Sequence, residues 1–327
     1  MAPTPVARVF GLVFMLASLV VIALMFASFT LGAYLVFNTD FGSSISLPLR
    51  MIPLFILGVP FYIPLRVTLG QLFMGLWTLY LAFFAVAATE PRGLIRELGR
   101  WRREGIPIPR NTLLAVASGF SALLVATTTI EMVQEWAGIP TGSLPEEEPL
   151  LMFVFITLAP IIEELGFRLS IIGLIAYLSV AGRSNFLKAL PILWHPEHYA
   201  KRLLDRAAWP RFLRGVYLAI AFSGIFFGVA HIIYGEGWEV GKVTTASLAG
   251  VVMGYLYFKY GWAAPLLLHW AFNYFSATYY HLAESVGLEL LTNIFESTLL
   301  VAGVISLSAL TARLYLRRAK PPTPAPS

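Results

Sequence analysis

Eight stretches of this chain are apolar for long enough to cross a bilayer. That length limits what the chain can fold into more than any other feature. They run roughly over 9–37, 67–89, 112–136, 150–182, 212–234, 241–258, 262–281 and 290–312. A spanning helix needs ~20 apolar residues, set by the thickness of the hydrocarbon core and the rise per helical residue. Inside that core every backbone N–H and C=O must find a partner within the protein, so each stretch is expected to be helical. The expected fold is an all-α polytopic membrane protein of about eight transmembrane helices with a buried polar site. Composition agrees: the chain is 58% hydrophobic and only 13% charged, against about 25% charged in a soluble domain. A soluble globular enzyme, a disordered chain and a disulfide scaffold are excluded. With no cysteine, so are thiolate metal ligands and a cysteine nucleophile.

Charge sets the expected orientation. Residues 90–110 hold six Arg, 183–214 seven Lys or Arg and 313–320 four, together seventeen of the 23 basic residues. The connections 137–149, 235–241 and 282–289 hold none, and Glu146, Glu147 and Glu148 lie in the first of them. Basic connections stay cytoplasmic, and eight alternating spans put all three basic segments and both termini on that side. The net charge of +5 is therefore read as membrane topology, and nucleic acid is not an expected partner. The apolar run after residues 1–8 is too long for a signal-peptide core and reads as a retained first helix. Residues 51–65 are apolar but short, with three prolines between Arg50 and Arg66. They read as a re-entrant or interfacial piece, the alternative being a ninth, irregular span. The basic connection 183–214, with Trp194, Tyr199 and Trp209, fits a helix lying on an anionic membrane surface. The tail ending PPTPAPS reads as disordered.

Ionisable groups deep in a span are costly and point to function. Here they are Glu163, Glu164 and Arg168 in the fourth stretch, His231 in the fifth, His269 in the seventh and Glu296 in the eighth. In P-I-I-E-E-L-G-F-R (160–168), Glu164 and Arg168 are four apart and share a helical face, while Glu163 points elsewhere. Pro160 cannot donate its backbone hydrogen bond and is expected to kink the helix before the acids. Phe227 and His231 stand four apart in F-G-V-A-H, as do His269 and Asn273 in H-W-A-F-N. Each pattern alone also fits an ion pair or hydrogen bond that ties helices together. His195 and His198, in H-P-E-H within the basic connection, read as surface histidines.

Taken together, E-E-x-x-x-R, F-x-x-x-H and H-x-x-x-N on membrane helices resemble the CAAX protease and bacteriocin-processing family of intramembrane proteases. That family includes the type II CAAX prenyl endopeptidases. The resemblance covers roughly 150–280, and the stretch 250–273 also looks like the family's approach to its third motif. It divides the chain into 1–149, helices without a recognised motif; 150–281, the protease-like core; and 282–327, the last helix and tail. It implies an endopeptidase with Glu163 as general base on a water, His231 orienting that water, and His269 with Asn273 stabilising the oxyanion. Glu164, Arg168 and Phe227 would support them. A second version uses zinc, with His231, His269 and Glu163 as ligands. The metal-free version is preferred, because the local zinc signature H-E-x-x-H is absent. The implied partners are the lipid bilayer and a membrane-associated or prenylated peptide, the prenylated one entering from the cytoplasm. The competing functions are a non-catalytic scaffold or immunity-type member and a proton-coupled transporter, in which Glu296 would serve as a relay. One tension stands out: His269 lies near the inner end of its stretch and His231 near the outer end of its own. They can meet only through a long, tilted or broken helix.

Overall fold

The computed structural model describes residues 4–104, 108–144, 147–182, 185–235 and 237–318; the last residues of the tail lie outside them. Six helices are long and apolar enough to cross a membrane. They are α1 (Pro5–Asn38), α2 (Leu69–Thr89), α4 (Thr112–Trp136), the rod Pro149–Ala181, α9 (Trp209–Tyr234) and α13 (Glu289–Arg318, apolar to Arg313). The rod is α5 (Pro149–Glu164), a π-helical stretch over Leu165–Gly173, and α6 (Leu174–Ala181). Two further pieces pack among the six. One is α10 (Val240–Tyr260). The other is α11 (Ala263–Trp270), continued through a π turn over Ala271–Phe275 into α12 (Ser276–Val286). Helix α3 (Leu94–Glu104) and the short α7 (Phe186–Ala189) and α8 (Pro196–Leu203) lie in the basic connections.

Residues 48–68 are the exception to the helical pattern. Strands β1 (Pro48–Ile56) and β2 (Val59–Thr68) form an antiparallel hairpin there, so this segment is not a ninth spanning helix. Leu57 and Gly58 both have positive φ, 51° and 77°. That is the two-residue turn whose twist matches paired strands. An isolated ribbon in an apolar layer leaves its outward N–H groups without partners. The turn makes Ile56 and Val59 a hydrogen-bonded pair, so Phe55–Pro60, Pro53–Tyr62 and Met51–Pro64 fall where N–H groups point out of the ladder. Half of those positions are proline, which has no N–H to leave unsatisfied.

The hairpin tip docks on the π-helical stretch. Leu57 N–H donates to Ser170 Oγ at 2.9 Å and Gly58 N–H to the Gly166 carbonyl at 3.0 Å. Gly166 makes the approach possible, since a Cβ there would stand 2.2 Å from Phe55 Cβ.

The basic connection 183–214 is likewise not one surface helix. It breaks into α7, a 3₁₀ turn over Leu190–Leu193, α8 and the start of α9 at Trp209. Pro191 and Pro196 each open a new short turn, as proline does at a helix start. In the other basic connection, buried Glu97 of α3 accepts from Arg100, from Trp101 Nε1 at 3.1 Å and from Arg110 N–H at 2.7 Å. Burial pushes the Glu97 carboxyl up, but these donors outweigh it and hold it below its ordinary value.

Two predictions follow from these contacts. Gly166→Ala should displace the hairpin tip, lowering the melting temperature and raising hydrogen exchange at 55–60; unchanged exchange there would count against this docking. A depressed folded pKa stabilises above the unfolded value of ~4.3 and is lost as pH falls through the folded value. Acidification through that window should therefore loosen α3, read as hydrogen exchange at 94–104, and Glu97→Gln should remove the dependence.

Candidate active site

Pro160 lies inside α5 and has no N–H for the carbonyl four residues back. That carbonyl belongs to Ile156, and Asn273 Nδ2 donates to it at 3.2 Å. One residue along, the Tyr80 hydroxyl of α2 donates to the Thr157 carbonyl at 3.0 Å. The backbone loosened before the acids is thus held by two other helices. The first and third motifs are joined at the same point.

Glu164 is fully buried and lies between two partners. Its Oε2 is 3.1 Å from Arg168 Nε, and its Oε1 accepts from His269 Nδ1 at 2.9 Å. A carboxylate can only accept here, so the proton sits on Nδ1 and His269 Nε2 is turned to the other side. There it meets Glu163 Oε2 at 3.7 Å. Glu163 is partly exposed, at 22%, and its Oε2 has no hydrogen-bond partner.

Phe227 joins the remaining pieces. Its ring carries the Arg168 guanidinium at 4.2 Å, a cation–π contact. The same ring stands edge-on to His231 at 4.8 Å and to His269 at 5.8 Å. Its carbonyl accepts from His231 Nδ1 at 2.8 Å, which leaves His231 Nε2 as an acceptor. The F-x-x-x-H spacing therefore does two things: the ring packs the site and the carbonyl fixes a tautomer.

Glu163, His231, His269 and Asn273 line one cavity of about 260 Å³. Its wall is otherwise mainly apolar, including Phe55 of β1 and Trp238 before α10. Glu164 and Arg168 are buried behind it with no exposed side-chain surface. His231 and His269 meet at this cavity, each edge-on to the Phe227 ring. Two of the three motif-bearing rods carry π-helical stretches, Leu165–Gly173 and Ala271–Phe275, which shift side chains around the axis, as such bulges do at functional sites.

Three lining residues went unnoticed in the sequence. Phe55 was hidden in the proline-rich segment. Trp238 lay in the connection 235–241, and Lys242 stood at the very start of the apolar stretch 241–258. Lys242 stacks on Trp238 at 3.8 Å and puts a cation in the wall of the cavity that holds Glu163. A lysine two residues after the start of an apolar stretch was the available signal.

His195 and His198 stand apart from the site. His195 is buried and caps α8, its Nδ1 accepting from His198 N–H at 3.4 Å. Burial first, then His198, pushes its pKa down to about 4, so it is neutral at pH 7. Glu296 faces a separate cavity of about 530 Å³ with Tyr280 and His281. His231, His269 and Glu163 are the side chains a zinc ion would need. Among the described residues, no three His, Cys, Asp or Glu side chains are grouped closely enough to hold one.

Fold and site together define a class: a polytopic membrane protein whose helices enclose a polar centre of two carboxylates and two imidazoles. Residues 145–275 match the family model described as type II CAAX prenyl endopeptidase Rce1-like. All the site residues named from the three motifs lie within it, while the hairpin, α2 and α13 lie outside. No curated protein and no solved structure gives a significant match. The apolar helices and the family agree that this is an integral membrane protein.

Arg168→Ala would leave Glu164 buried with its charge unpaired, and breaking a buried pair costs about 3–5 kcal/mol. The expected result is a clear fall in melting temperature in detergent. A variant that melts with the parent would remove the ion pair from its structural role.

Proposed function

We propose that the protein is a glutamate-dependent intramembrane endopeptidase acting on membrane-associated polypeptides, prenylated C-terminal peptides among the candidates. The observation that carries this reading is the Glu163 carboxylate, which lines the cavity with no hydrogen-bond partner on its Oε2 among the described residues, beside an imidazole whose far nitrogen is fixed by Glu164. Glu163 takes a proton from a water held between it and His231 Nε2. The water oxygen attacks the scissile carbonyl carbon, and the carbonyl electrons move to oxygen. Asn273 has a second amide N–H beyond the one bonded to Ile156, and this donor faces the oxyanion. His269, backed by the Glu164 carboxylate, is the second group set to stabilise that charge. The C–N bond then breaks as Glu163 passes its proton to the leaving amine. The apolar wall suits an extended peptide with hydrophobic side chains or a lipid chain beside it. No step is assigned to a metal.

The test is hydrolysis of a membrane-anchored peptide library, prenylated and unprenylated, by purified protein in detergent or bilayer. Glu163→Gln keeps the shape but cannot take the proton, and should lower turnover by ~10²–10⁴-fold. Asn273→Ala should lower it by ~10²–10³-fold. Activity should survive exhaustive chelation. Full activity in Glu163→Gln would overturn the assignment. One equivalent of zinc, lost and restored together with activity, would replace it with the metal-dependent version.

A further inference from the structure

The bundle has two chemically distinct ends. At one, the connections after α2, after α6 and between α10 and α11 are tied together. Thr112 N–H donates to the Glu90 carbonyl at 2.9 Å, Trp262 N–H to the Trp194 carbonyl at 2.9 Å, and the Tyr260 hydroxyl to the Pro109 carbonyl at 2.8 Å. Phe14, near the start of α1, stacks on Trp101 of α3 at 4.7 Å, so the chain begins at this end too. The segments gathered here include the 90–110 and 183–214 connections, with six and seven Lys or Arg.

At the other end, the connections before α5 and before α10 pair with each other. Gly142 bridges Trp238, and Gly241 N–H donates to the Pro140 carbonyl at 2.8 Å. The connections 137–149, 235–241 and 282–289 contain no Lys or Arg and are rich in Glu. The basic residues nearest this end are Arg50 and Arg66 at the hairpin base and Lys242 in the cavity wall.

The cavity opens at the acidic end. Beyond the groups around Glu163 and His269 it is lined by Leu144, Tyr234, Gly235 and Trp238, and among the described residues none from the basic connections borders it. Its inner side is closed by Phe167, Phe227 and the Glu164–Arg168 pair. Basic connections are retained in the cytoplasm. We infer that the cavity opens on the non-cytoplasmic face of the membrane. On the peptidase reading, its substrate is a membrane-anchored polypeptide, prenylated or not, whose cleaved segment emerges on that face. This inference runs against the expectation that a prenylated peptide enters from the cytoplasm. The word substrate rests on the peptidase reading; the side on which the cavity opens does not.

The chain has no cysteine, so single-cysteine variants report position directly. Ser143→Cys marks the acidic end, Tyr234→Cys the cavity lip and Ala207→Cys the basic end. With a membrane-impermeant maleimide on intact cells, Ser143→Cys and Tyr234→Cys should be labelled and Ala207→Cys only in inverted vesicles. Glu147→Cys replaces Ser143→Cys if that variant fails to accumulate. Labelling of Ala207→Cys in intact cells, with the other two reached only after inversion, would overturn the inference. A second arm uses a quenched fluorescent peptide with an N-terminal palmitoyl anchor, inserted into the outer leaflet of sealed vesicles. Right-side-out vesicles should cleave it at least tenfold faster than inverted ones, and the opposite ratio would overturn the inference. If labelling comes out as expected and neither orientation cleaves while Glu163→Gln matches the parent, the orientation stands and the peptidase reading fails.

Discussion

The structure depends on one buried carboxylate. Glu164 has no exposed side-chain surface, and it faces Arg168 on its own rod and His269 on another. An ionised group in such a place persists only with charged and hydrogen-bonded partners around it. Arg168 needs a partner equally and takes a second one in the Phe227 ring of α9. Three separate rods are thereby held to one point. The same contacts fix the tautomer of His269 and leave Glu163 as the carboxylate with room to react. Glu164 is thus a positioning residue whose structural and chemical consequences cannot be separated: the geometry that satisfies its charge also aims the imidazole.

The sequence was legible where the bilayer imposes a strong rule. Spanning helices announce themselves by length and apolarity, and charges inside them stand out because they are expensive. Glu163, Glu164, Arg168, His231, His269 and Asn273 were all visible for that reason, and the spacing of Glu164 and Arg168 foretold their pairing. What spacing could not reveal was contact between distant stretches. That Asn273 serves the carbonyl freed by Pro160 required two helices to be placed side by side. Phe227 showed in sequence only as a hydrophobic residue one turn before a histidine, not as a ring shared by an arginine and two imidazoles.

The hairpin was misread for a different reason. Four prolines in 48–64 argue against a helix, and an apolar layer argues against an open strand edge, so the two rules left only an irregular piece. The structure reconciles them, because three of those prolines occupy outward positions where a strand would otherwise carry unsatisfied donors. The count of spans remained coarse for a related cause. Helix α10 carries Lys242 and several small polar residues, and the rod of α11 and α12 is broken by its π turn. Both trade apolar length for a face toward the cavity.

That hairpin also has a place in time. Its tip binds residues far downstream, Leu57 reaching Ser170 across a separation of 113 residues. At a synthesis rate of ~5–20 residues per second, the ribbon exists for ~6–23 s before its dock has been made. During that interval each open N–H is an invitation to pair with another nascent chain. The prolines therefore protect an intermediate as much as the finished protein: they let the ribbon wait in the bilayer, partnerless and unreactive, until the helix that receives it arrives.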